Sequence, residues 1–238
     1  MDIINLKEVL QEIDKVGITE CVIEPGDEDG KTRIRGASKD TSVIIFDTID
    51  SELTEVPIGI QSVKGFLSRL KLFDGDKASI ALKSNDKFAV NATIKQGRRL
   101  ANFRFAPPNT LQVPDAMPDC EEPPFIELDE QYVDFLSTAI ASMSYTGSKE
   151  ERTISMKVND GDLGINIFDG EDDCFDDVME VEGVTELHNG SWELVPFHLV
   201  MKQSRLYNDT KAIFTINDYG VAIFKLETIK VMVSPMMG

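Results

Sequence analysis

One pattern of hydrophobic periodicity is written twice along this chain, and that repetition limits its fold more than any other feature. Apolar residues recur at spacings of three and four over Leu6, Val9, Leu10, Ile13 and Val16, then over Val63, Phe66, Leu67 and Leu70. The spacing returns over Tyr132, Phe135, Leu136, Ala139, Ile140 and Met143, and over Phe197, Val200 and Met201. Such spacing lays an apolar stripe along a helix, so four amphipathic helices are expected. Asp129 is placed to cap the third, and Pro196 suits the first turn of the fourth. Between them lie stretches rich in β-branched and aromatic residues: 20–24, 41–47, 78–83, 88–94 and 102–105, then 153–158, 164–168, 178–181, 211–216, 221–226 and 230–234. Asp160-Gly161, Asn189-Gly190 and Tyr219-Gly220 read as turns between strands. The first helix precedes the third by about 123 residues and the second precedes the fourth by about 135, both near half the chain. No residue-level repeat accompanies this, so the duplication is one of architecture.

The halves meet in Ala106 to Pro124, which holds six of the chain's ten prolines. Proline fixes φ and removes a donor, so an extended connector is expected there. Leu111, Val113 and Met117 interrupt its polarity. That leaves two readings, a plain linker or a docking strand beside a hydrophobic groove. The expected organisation is a domain over 1–106, a connector over 107–124 and a domain over 125–238.

Charge is segregated. The net charge of −18 argues, taken alone, against nucleic-acid binding. By segment the net charge is −8 over residues 1–60, +7 over 61–105, −19 over 106–195 and +2 over 196–238. Two cationic blocks inside an anionic chain create a directed field that the total conceals. In the second helix Lys64, Ser68 and Lys71 share the stripe opposite the apolar face, with Arg69 beside it. In the fourth, His198, Lys202 and Arg205 form one polar stripe. No acid occurs in 61–73 or in 196–208. In the first helix Lys7, Gln11 and Lys15 align, with Glu8, Glu12 and Asp14 nearby; the polar face of the third has Gln131, Asp134, Thr138 and Ser142 and no cation. Contacts from such stripes would go to phosphates, read no base sequence and weaken with salt. Lys95, Arg98, Arg99 and Arg104 cluster further on, with Lys95 to Arg99 at a hairpin tip, where solvation or phosphate contact are both open.

Catalytic patterns are sparse. GxxxxGK[ST], GxSxG and HExxH do not occur, and His188 and His198 are the only histidines. The acidic run from Asp169 through Asp177 lacks the ligand spacing of a calcium loop and reads as a repelling outer loop. Cys21, Cys120 and Cys174 are odd in number and far apart, so neither a disulfide framework nor a zinc site is expected. No apolar run approaches the roughly 20 residues a membrane span needs, and the N-terminus does not read as a signal peptide. A reducing cytoplasm is the expected compartment, with no cofactor and no metal.

Four stretches resemble the sliding-clamp superfamily, which comprises the proliferating-cell nuclear antigen clamps and the shorter clamps of T-even-like phages. They are Val63 to Phe73, Asn102 to Pro107, Asp160 to Ile165, and the ending Val231-Met232-Val233-Ser234-Pro235. Their order and spacing carry the resemblance over essentially the whole chain. The short length, Phe103 to Pro107 and the short tail lean toward a phage member, working in a bacterial cytoplasm. The resemblance implies an α+β fold of two similar clamp-type domains, antiparallel sheets outside and helices lining the hole of a homotrimeric ring. It implies a non-enzymatic function, encircling double-stranded DNA and tethering a DNA polymerase, with loading by a separate ATP-dependent clamp loader. The DNA-facing residues would be Lys7, Lys15, Lys64, Arg69, Lys71, His198, Lys202 and Arg205. A partner-peptide pocket would form from Ile44, Phe46, Leu111, Val113, Met232 and Pro235, with Met232 where nuclear-antigen clamps usually have an aromatic residue. Two other classes compete: a carboxylate-dependent hydrolase, which needs carboxyls of raised pKa, and an acidic monomeric binding module.

Overall fold

The computed structural model describes residues 3–28, 30–116, 122–142, 152–169, 174–182 and 184–236. Met117, Cys120, Met143 and residues 171–173 of the acidic run lie outside them. The chain divides into two compact units, Met1–Met117 and Pro118–Gly238, with the boundary inside the proline-rich segment.

The first unit runs α1 (Ile3–Lys15), β1 (Glu20–Pro25), β2 (Thr32–Ala37), β3 (Val43–Ile49), β4 (Ile58–Ile60), α2 (Val63–Leu70), β5 (Ser79–Ser84), β6 (Ala89–Gln96) and β7 (Arg99–Arg104). The apolar stripes of both helices are buried, and α1 packs on α2. Ser62 caps α2, its hydroxyl accepting from the Gly65 amide at 3.1 Å. Pairing is antiparallel throughout, in the orders β4-β1-β2-β3 and β5-β6-β7. Phe66 of α2 meets Phe103 of β7 and Phe105 at ring-centroid distances of 4.6 and 5.3 Å.

The second unit runs β8 (Ile126–Leu128), α3 (Glu130–Ser142), β9 (Thr153–Asn159), β10 (Asp162–Phe168), β11 (Cys174–Glu180), β12 (Gly190–Glu193), α4 (Leu194–Tyr207), β13 (Ala212–Ile216), β14 (Ala222–Lys225) and β15 (Lys230–Val233). Asp129 caps α3 by accepting from the Tyr132 amide at 3.0 Å. The antiparallel orders are β12-β9-β10-β11 and β8-β13-β14-β15. Phe197 stacks on Trp192 at 4.9 Å and meets Phe224 edge-on at 5.1 Å.

The duplication therefore extends to pairing. In each unit a helix leads into three strands, a fourth strand returns to pair with the first of them, and a second helix leads into a three-stranded meander. The fold class is α+β, as the periodicity and the resemblance imply.

Four strands escaped the reading of the sequence: β2, β4, β8 and β12. β2 alternates Arg33, Ile34 and Arg35, and the other three have only three or four residues. Asn189-Gly190 is not a turn. Gly190 opens β12 opposite Met156, and a Cβ there would lie 2.2 and 2.5 Å from two ring carbons of Trp192. Glycine is required by close approach, not by chain reversal. Asp160-Gly161 does turn: both φ are positive, at 51° and 97°, as a two-residue β9–β10 hairpin demands.

Candidate functional site

The cations named from the sequence separate into two kinds. Lys64 and Lys71 project from one side of α2 and its C-cap and are exposed, as is Arg69, whose guanidinium sits 4.9 Å from the centre of the Phe103 ring. Ser68 between them returns its hydroxyl to the Lys64 carbonyl at 2.7 Å. Lys202 on α4 and Lys15 at the end of α1 are also exposed.

The other three are engaged within the protein. Lys7 is half-buried, and its Nζ donates to the Phe73 carbonyl at 2.6 Å, closing the turn that follows α2. His198 is half-buried, with Nε2 3.0 Å from the Ser137 hydroxyl on α3. Burial, then the charge of Lys202, push its pKa down to about 4. His198 is therefore neutral at pH 7 and adds no charge to its stripe. Arg205 donates to Asp134 at 2.5 Å and Glu130 at 2.7 Å, both on α3. The hydrogen bonds it donates to Asp134 and then to Glu130 raise its pKa, and the two carboxylates offset its charge. The missing cation of α3 thus has a counterpart: that helix supplies the acids that hold Arg205.

The pocket residues lie as follows. In the sheet β4-β1-β2-β3 one face carries Cys21, Ile23, Ile34, Val43 and Ile45, all buried. Alternation turns Glu20, Val22, Glu24, Arg33, Arg35, Ile44 and Phe46 to the opposite face. Ile44 and Phe46 are half-buried there, Phe46 opposite Arg35 in register. The proline-rich segment is tied to this face at two points. The Gln112 amide donates to Glu20 Oε2 at 3.0 Å. Arg35 Nη1 donates to the Pro114 carbonyl at 2.9 Å and to Asp115 Oδ1 at 2.8 Å, while its Nε meets Glu24 at 3.0 Å. Arg33 also donates to Glu24, at 2.8 Å. Half-buried Leu111 and Val113 are thereby held at the sheet face that bears Ile44 and Phe46. Val22 points to this face and is fully buried.

In the second unit Met232 of β15 is buried opposite Ile223, and half-buried Pro235 follows the strand. Lys225 and Lys230, opposite one another, both lie over the Phe125 ring, and Lys230 also meets Glu122 at 2.8 Å. Glu20, Glu24, Arg33 and Arg35 belong to no motif in the sequence. Their signal was present as acids on β1 and bases on β2 at matching alternation, and it becomes legible only once β2 is known to be a strand.

Lys95, Arg98, Arg99 and Arg104 are all exposed around the β6–β7 hairpin, which turns at Gly97 with φ of 58°. Among the described residues no helix is long and apolar enough to cross a membrane.

No protein-family model and no curated protein matches the chain. Solved structures do. A DnaN sliding clamp, the beta subunit of DNA polymerase III from Pseudomonas aeruginosa, bound to griselimycin, aligns with TM-score 0.66 at 12% identity, over 100% of this chain and 64% of that one. The Helicobacter pylori beta clamp bound to a DNA ligase peptide aligns with TM-score 0.63 at 15% identity, over 100% and 66%. The A. fulgidus clamp PCNA, bound to the C-terminal region of FEN-1, aligns with TM-score 0.62 at 14% identity, over 100% and 97%. The chain thus spans about two thirds of the bacterial clamps and nearly all of the archaeal-sized one. Identities this low speak for fold alone, and the fold of this chain is the fold of DNA sliding clamps.

Proposed function

We propose that this chain is a subunit of a DNA sliding clamp: copies of it form a ring around double-stranded DNA and tether a DNA polymerase for processive synthesis, without catalysing a reaction. The observation that carries the reading is the placement of exposed cations, Lys64 and Lys71 at α2 and Lys202 on α4, on corresponding helices of two units with the same topology. The rest of the chain is strongly acidic. Contacts from a few lysines to phosphates hold duplex DNA without reading it, which permits sliding. Acidic outer surfaces repel DNA elsewhere. Lys15 and Arg69 are further exposed cations of the first unit's helices. Lys7, His198 and Arg205 support the same reading by position, since their donors and charge are used inside the fold.

Near-complete coverage of the A. fulgidus clamp supports a ring built like that one, which the family resemblance makes a homotrimer. A separate ATP-dependent loader would open it. A phage origin and action in a bacterial cytoplasm belong to the same reading. The peptide-bound A. fulgidus and H. pylori clamps support partner docking through short segments. Here the proposed dock in the first unit is the strip where Leu111 and Val113 border Ile44 and Phe46; Met232 and Pro235 of the second unit are added on the family resemblance alone. The hydrolase alternative has less support. It needs a carboxyl kept protonated near neutrality. Asp40 shifts the other way, because hydrogen bonds from Ser38 and Ser42 outweigh its burial, and Asp74 is lowered by its bond to Lys77.

The test is Lys64→Glu, Lys71→Glu and Lys202→Glu together, assayed for polymerase processivity on primed DNA and for assembly by native mass. Shorter products from an intact assembly are expected. Wild-type product lengths would remove DNA from this face.

A further inference from the structure

The duplicated topology fills one position in the second unit and leaves it open in the first. In each unit the second helix leads into a meander, β5-β6-β7 or β13-β14-β15, and in the second unit β8 pairs along the outer side of β13. Among the described residues no strand pairs with the matching side of β5. The difference shows in burial. On the core face of β13, Ala212, Phe214 and Ile216 are fully buried, with Leu128 and Ile126 of β8 opposite the first two. On the core face of β5, Ile80 and Leu82 stand opposite buried Ile94 and Ala92 of β6, yet both are only half-buried. They open into a groove of about 390 Å³ whose far wall is Leu53, Thr54 and Val56, from the loop before β4. A free backbone ladder beside an apolar groove is the surface onto which an extended segment adds.

We infer that the free edge of β5 docks an extended segment of a partner protein, apolar at alternate positions with an acidic residue between them. β8 is the template for that chemistry. There Ile126 and Leu128 turn to the core face, while Glu127 turns outward opposite Ile213 and binds Lys211, two residues away from Ile213 on the same face. The outer face of β5 offers the same arrangement: Ala81 lies between Ile80 and Leu82, and exposed Lys83 is two residues away from it. A carboxylate opposite Ala81 lies on the diagonal to Lys83, within reach of its ammonium. Glu52 and Glu55 are exposed on the loop wall of the groove, where they repel an acid and leave the inner face to apolar side chains. Two such side chains cover Ile80 and Leu82 as Ile126 and Leu128 cover Phe214 and Ala212. Docking here uses neither the helix cations nor the strip beside Leu111 and Val113.

The experiment titrates the isotope-labelled whole chain with a synthetic peptide copying residues 123–129 and follows the β5 amides by NMR. Shifts along Ser79–Ser84 should move and saturate. Lys83→Glu, at an exposed position, should weaken the fitted dissociation constant about 3- to 5-fold. A peptide with Glu127→Lys should reverse that preference and bind the Lys83→Glu chain more tightly than wild type. A peptide with Ile126→Asp, which has lost the alternation, should not bind at the same concentrations. Unmoved β5 amides at millimolar peptide, equal binding of the Ile126→Asp peptide, or an unchanged constant in Lys83→Glu overturns the dock and leaves the ring reading standing. β5 amides that shift with chain concentration alone give the edge to a second copy. Protection of every β5 amide from hydrogen exchange before peptide is added gives it to another segment of this chain. Either result also overturns docking of a partner.

Discussion

Replacing Arg35 by Met should loosen the proline-rich segment from its sheet and leave the rest of the first unit folded. The Arg35 side chain is only 10% exposed, and its methylene stem has a close match in Met. What disappears is the guanidinium. Its bond to Glu24 matters little to the connector, and Glu24 keeps Arg33 as a partner at 2.8 Å. The ion pair with Asp115 is worth at most about 1 kcal/mol, because the Asp115 side chain is 98% exposed. The bond to the Pro114 carbonyl comes from a charged donor and contributes about 1.5–3 kcal/mol. The segment's local stability should therefore fall by about 2–3 kcal/mol, or about 30- to 150-fold in its opening equilibrium. Native-state hydrogen exchange at the Gln112 amide reads this directly, since that amide is held by Glu20 in the same segment. It should exchange faster by that factor in Arg35→Met, while core amides such as those of Ile34 and Ile45 change little. Unaltered exchange at Gln112 would show that Arg35 does not seat the connector, and the reasoning from its hydrogen bonds would fail.

Two further outcomes follow from single environments. His198 has its pKa pushed from 6.5 to about 4 in the folded chain, so between those values the unfolded state holds the extra proton. Stability should fall as pH is lowered across that window, and His198→Gln, which cannot titrate, should lose less in urea titrations; equal losses would refute the burial of a neutral imidazole against Ser137. Gly190→Ala should cost about 2–3 kcal/mol in the same measurement, because a methyl within 2.5 Å of the Trp192 ring forces the indole or β12 to move. A neutral result would mean that Trp192 repacks freely.

The helices were legible because periodicity of 3.6 is a property of near neighbours: Leu6 to Ile13 or Phe66 to Leu70 need no knowledge of the fold to declare a buried face. The cap at Asp129 was legible for the same reason, and so was the architectural duplication, which is a count of helices and strands along the line. Ser62 escaped because the apolar stripe of α2 identifies its face but not which flanking hydroxyl turns inward.

Other properties were decided only when distant segments met. Lys64 and Lys202 were expected on polar helix stripes opposite the apolar faces, and both are exposed. Arg205 looked equivalent by spacing, yet its charge is offset by Glu130 and Asp134, more than 70 residues away. His198 is neutral because α3 partly buries it and Lys202 lies near. The proline content of residues 106–124 announced an extended segment, but its seat on Glu20 and Arg35 depends on β1 pairing with β2. Ile80 and Leu82 were likewise visible only as an alternation until the sheet order put β5 at an edge. Periodicity is settled by covalent neighbours, whereas the state of a charge depends on its dielectric surroundings and its counter-ion, and both are assembled only by tertiary folding.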